Sequence, residues 1–130
     1  MFWVALSALI MSLTGEGDDT FVIRRFLDRA QAAVSEHVHD PVRQRRALET
    51  LERTSKAFRR HRQRTAKVSD CIEQADRKFD ASAADYQRCL VDIAPAWDAA
   101  AEELITLSHD FRRELTPAEL ASVRHDAEQR

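Results

Sequence analysis

The chain has 130 residues, 32% of them charged and 7% aromatic, with a net charge of −2, two Gly, three Pro and two Cys. That length allows one domain, and the near-neutral charge argues against a general attraction to nucleic acid or to an anionic membrane. Gly and Pro are scarce beside abundant Ala, Leu, Glu, Gln and Arg, which excludes a turn-rich β fold and points to an all-α protein.

The first segment stands apart. Phe2 to Leu13 is an unbroken run of apolar and small residues, followed by Gly15-Glu16-Gly17-Asp18-Asp19. A helix over that run would rise roughly 20 Å, short of the ~30 Å hydrocarbon core. It suits the apolar region of an export signal or a short anchor, although no Lys or Arg precedes it and no clean small-x-small cleavage site follows. A buried helix of a soluble bundle is the other reading. The first reading makes residues 1–19 a signal or anchor with an acidic linker, and residues 20–130 the folded domain. It also makes the protein periplasmic or otherwise extracytoplasmic, exported or membrane-anchored, with any membrane association running through residues 2–13.

Residues 20–38 carry Val22, Ile23, Phe26, Leu27, Ala30, Ala33, Val34 and Val38 on one helical face. Asp40-Pro41 reads as an N-cap with proline at the first helical position. From there to about Phe79 nothing breaks a helix, and Leu48, Leu51, Ser55, Phe58, Arg62, Thr65, Ser69, Ile72, Asp76 and Phe79 follow three- and four-residue steps. Phe79-Asp80-Ala81-Ser82 is the expected turn, and Ser82 with Asp85 resembles a capping box. The next helix runs to about Leu115 on a seam of Ala83, Tyr86, Leu90, Ile93, Trp97, Ala100, Leu104, Leu107 and Phe111, with Trp97 expected at its buried centre. Pro95 should kink it near residues 91–94. Thr116-Pro117-Ala118-Glu119 opens a last short helix.

Folding the two long helices about residue 81 sets Leu51 against Phe111, Phe58 against Leu104, Thr65 against Trp97 and Val68 against Ile93. Two seams that match under one fold axis predict a long antiparallel helical hairpin with a shorter helix before and after it. A single continuous helix is the alternative.

Three groups of residues bear on function. Cys71 and Cys89 are nearly equidistant from the turn, which predicts a disulfide; two buried free thiols are the alternative. Between residues 41 and 67 ten Lys or Arg stand against two Glu, densest at Arg59, Arg60, Arg62 and Arg64. The mirror pairing sets Asp98 near Arg64, Glu102 near Arg60 and Glu103 near Arg59, so part of this run forms interhelical ion pairs. A solvated face is the plainer reading of the remainder; an anionic or acidic protein partner at Arg59, Arg60, Arg62 and Arg64 is the functional one. No aromatic platforms interleave it, which argues against specific nucleic-acid binding. The five His match no ligand signature, although His37, His39, His109 and His125 all fall toward the hairpin's open end. With carboxylates they would suit zinc, nickel or copper; exposed or singly hydrogen-bonded histidines are the plainer reading. There is no glycine-rich phosphate loop, nucleophile elbow or metalloprotease helix, so the chain reads as a non-enzyme.

Leu115-Thr116-Pro117-Ala118-Glu119-Leu120 resembles the LTxxQ motif of the Spy/CpxP family of periplasmic helical proteins, with Glu119 in the place of Gln. The order of parts is similar over residues 20–130. The resemblance implies a binding protein, either a stress chaperone for unfolded or acidic segments or a heavy-metal sensor, working as a homodimer on a protein client. In metal-sensing members, histidines of the first helix and hairpin supply ligands; His37, His39 and His109 lie in comparable regions with different spacing. A coiled-coil interaction or scaffold subunit of a membrane-associated complex is the alternative function.

Overall fold

The computed structural model describes residues 19–91 and 93–129, with side chains from residue 23 onward. Within them the chain forms five helices and no strand: α1 Asp19–His37, α2 Pro41–Asp76, α3 Ala83–Leu90, α4 Ile93–Arg113 and α5 Pro117–Gln129. None of these is long and apolar enough to cross a membrane, and the apolar segment 2–13 lies outside the described residues.

Local chemistry accounts for the boundaries. The Asp40 carboxylate accepts the Val42 and Arg43 N–H groups at 3.0 and 2.9 Å, capping α2 behind Pro41. Those bonds hold the Asp40 carboxyl below its ordinary pKa against the opposing effect of burial. Ser82 and Asp85 form the capping box that starts α3. Pro95 ends up in the first turn of α4, where its missing N–H has no intrahelical partner to lose. The expected kink is therefore a break, with one helix ending at Leu90 and another beginning at Ile93.

α2 runs antiparallel to α4 and α3, forming the hairpin, while α1 and α5 pack together at its open end. Arg53 with Asp110 and Arg60 with Glu103 fix the register within two residues of the mirror pairing. The main core lies at the open end. Leu27, Ala30, Ala33, Val34 and Val38 of α1 meet Ala47 and Leu51 of α2, Leu115, and Val123 and Ala127 of α5. A smaller cluster of Ala57, Leu104 and Leu107 continues it, and Phe58 packs against both.

The buried seam of α2 is offset from the expected one. Ala47, Thr50, Leu51, Ala57, His61 and Ala75 are buried, Leu51 alone of these on the expected seam, whereas Arg62, Ser69, Asp76 and Phe79 face solvent. Stepping through large residues missed Ala47 and Ala57. Small side chains at the contact let two helices approach closely.

Candidate functional site

The hairpin has a polar waist. His61 sits where a heptad from Thr54 leads, on the face of α2 turned toward α4, and is only 5% exposed. A buried imidazole needs a partner, and α4 supplies one: His61 Nε2 donates to Glu103 Oε2 at 2.9 Å. The other oxygen of Glu103 accepts from Arg60 Nη2. Burial pushes the Glu103 pKa up, but the hydrogen bonds from His61 and Arg60 outweigh it and hold the carboxyl below its ordinary value. Glu103 therefore serves both residues, where the mirror pairing had set it against Arg59 and Glu102 against Arg60. Sequence reasoning counted His61 only among the five histidines that match no ligand signature. Its signal was positional: it stands one residue from the expected seam, with Glu102 and Glu103 beside its mirror position at Ala101.

Beyond the waist, toward the turn, the seam continues with no further described helix packed over it. Thr65, Val68, Ile93, Ala96, Trp97 and Ala100 line a narrow cleft beside His61 and Arg64. These positions belong to the same helical faces as the open-end core. Thr65 is seven residues from Phe58, and Trp97 is seven from Leu104 and fourteen from Phe111. At the open end that face is covered by α1 and α5; along the distal half no further described helix covers it, and its residues are partly exposed apart from buried Ala100. Trp97 is consequently half-buried, not the fully enclosed centre the sequence predicts. The cleft encloses about 30 Å³, about the space of one water, so its use is as a strip of surface and not as a small-molecule pocket.

Arg59, Arg62 and Arg64 are exposed and have no ion-pair partner among the described residues. Arg60 differs, being held by Glu103. The expected Arg64–Asp98 pair does not form. The surface on the hairpin's other side mixes Arg53, Lys56, Arg59 and Arg60 with Glu102, Glu103 and Asp110, so its charges largely offset one another.

Cys71 and Cys89 are joined in a disulfide with Cα atoms 5.6 Å apart. This level-with-level placement follows from the near symmetry of the two cysteines about the 77–82 turn.

The Leu115–Glu119 turn is structural. Leu115 is buried, the Glu119 N–H donates to Thr116 Oγ1 at 3.2 Å, and Pro117 begins α5. The Glu119 carboxylate accepts Arg43 Nη1 at 2.8 Å, and the same nitrogen donates to the Glu114 carbonyl at 3.0 Å. That hydrogen bond from Arg43 is the main cause of the lowered Glu119 pKa. Arg43 thus ties the start of α2 to the link between α4 and α5.

The histidines do not gather as the sequence suggests. His39, His109 and His125 are exposed, and His37, His39 and His109 form no common ligand group. His37 instead meets carboxylates: its Nε2 lies 2.7 Å from Asp126 Oδ2, and Glu36 completes a group whose ligand atoms lie within 4.8 Å of one another. One imidazole and two carboxylates suit a borderline divalent cation. In this structure His37 and Asp126 bond directly, linking α1 to α5.

Comparison of the chain with protein-family models, with curated proteins and with solved structures finds no match.

Proposed function

We propose that the distal half of the hairpin binds unfolded or acidic protein segments, as an extracytoplasmic stress protein resembling the Spy/CpxP chaperones and sensors. One observation carries the reading: a partly exposed apolar strip at Val68, Ile93 and Trp97 runs beside exposed arginines that have no ion-pair partner among the described residues, with Arg64 on its rim. Charge steers an acidic segment to the surface, and apolar contact retains it. The Leu115-Thr116-Pro117 turn and the order of the helices support the family likeness. Export follows from reading residues 2–13 as a signal or anchor.

The test is suppression of aggregation of a chemically denatured client at low and moderate salt. Arg59, Arg62 and Arg64 are changed to Ser together, and Arg60 is left in place because it holds Glu103. Suppression should weaken as salt rises, because exposed charges are screened beyond ~8–10 Å near physiological ionic strength. The triple variant should show the weakened level at every salt. Equal inactivity of both proteins throughout would refute the reading. It would favour the scaffold alternative, which the exposed Phe79 and Val91 at the hairpin tip support.

A further inference from the structure

α3 is a short element with little to hold it. Eight residues are far too few for an isolated helix to persist in water. Its one buried side chain is Cys89, and the residues that follow, Leu90 and Val91, are 43% and 70% exposed. The Ser82–Asp85 capping box and the Arg88–Asp85 ion pair act within α3 and its cap and do not attach it to α2. One hydrogen bond crosses, from Tyr86 Oη to Asp76 Oδ1 at 2.6 Å, and it is exposed. Among the described residues, neither core cluster has a member between 59 and 103. α3 packs along α2, and the disulfide is the covalent cross-link between them.

We infer that the Cys71–Cys89 bond is a redox latch on the hairpin tip, whose reduction frees α3 and exposes the apolar stripe of α2 beneath it. That stripe is Ile72 and Ala75, three residues apart and so on one helical face, and it continues the strip at Val68. Ala75 is 5% exposed in the closed state. The co-reactant is a dithiol. Its thiolate attacks Cys71 Sγ, on the less buried of the two residues, breaking the disulfide and forming a mixed disulfide. Cys89 leaves as a thiolate and takes up a proton. The second thiol of the reductant then attacks the mixed disulfide and releases Cys71. Two electrons pass to the protein, and the reductant becomes a disulfide. The open-end core needs no covalent tie and stays folded. Opening extends the strip assigned above to clients; that consequence rests on the proposed function, whereas the latch itself does not.

The test is amide hydrogen exchange on the full chain, oxidised and then reduced with dithiothreitol. Protection across residues 71–76 and 83–90 should fall at least tenfold on reduction, while residues 47–58 and 104–123 keep theirs. The Cys71→Ser/Cys89→Ser double variant should show the open pattern without reductant and no response to it. Unchanged protection at the tip overturns the latch. So does a loss spread evenly over the chain, which would make the bond a staple of the whole fold, and so does a closed tip in the double variant. Binding of a denatured client, read in parallel, should tighten at least threefold on reduction. A tip that opens while no client binds in either state upholds the latch and sinks the binding reading alone.

Discussion

At its open end the hairpin is covered by α1 and α5; toward its tip, α2 faces α3 and the start of α4, and no other described helix packs over them. The same two seams run through both regions. What changes is the number of helices available to bury them. A helix pair leaves one side of its apolar stripe in contact with water, and further layers remove that exposure. The open end is thus held by burial, and the tip by a covalent bond and local capping. The comparison separates where the molecule keeps its stability from where it has surface to offer.

Truncating one large apolar residue in each region should give the largest contrast. Leu51 is 6% exposed within the main core, so Leu51→Ala should cost about 2–5 kcal/mol. Trp97 is bigger but half-buried on the bare strip, so Trp97→Ala should cost only about 1–2 kcal/mol. Urea titration of both variants reads the difference. A Trp97 loss equal to or above that of Leu51 would mean that the distal strip is covered in solution, by another part of the chain or by a second copy.

The hairpin, its turn and its disulfide were legible because each rests on spacing along the chain. Two apolar seams matched about one point, and the cysteines were placed about the same point. The caps at Asp40 and Ser82 were legible because they are local. The waist was not. Whether His61 or Arg62 turns inward depends on a one-residue offset, and alternating large residues could not set it when Ala47, Ala57 and Ala75 occupy the contact. Nor could the sequence place the histidines of the open end, because the position of α5 against α1 sets the meeting of His37 with Asp126.

The waist divides the two regions, and its removal should have an intermediate effect. Glu103→Ala leaves the His61 ring buried without its acceptor, at a cost of about 1–3 kcal/mol. The sign of the pH dependence follows from the lowered Glu103 pKa. Its folded-state value lies below the unfolded one, so its contribution is complete above the ordinary carboxylate value of 4.5 and disappears as pH falls through the folded value. Wild type and Glu103→Ala should therefore differ at pH 7 and converge as pH falls through the folded value, apart from any difference due to the orphaned ring. A gap that widens on acidification would show that Glu103 is not the anionic partner of His61 and Arg60.

The smallest effect belongs to the tip itself. Phe79 is fully exposed in the turn between α2 and α3, with its ring in water. Folding gains nothing from a side chain it leaves as exposed as in the unfolded chain, so Phe79→Ser should shift stability by less than about 0.5 kcal/mol. The same substitution removes the largest apolar group that the tip presents. Loss of a partner complex at unchanged stability would assign the tip to protein contact and favour the scaffold alternative. Unchanged binding would leave the strip at Val68, Ile93 and Trp97 as the working surface. A stability loss above about 1 kcal/mol would have a different meaning: Phe79 would then be packed in solution, and the tip would be more than two helices joined by a disulfide.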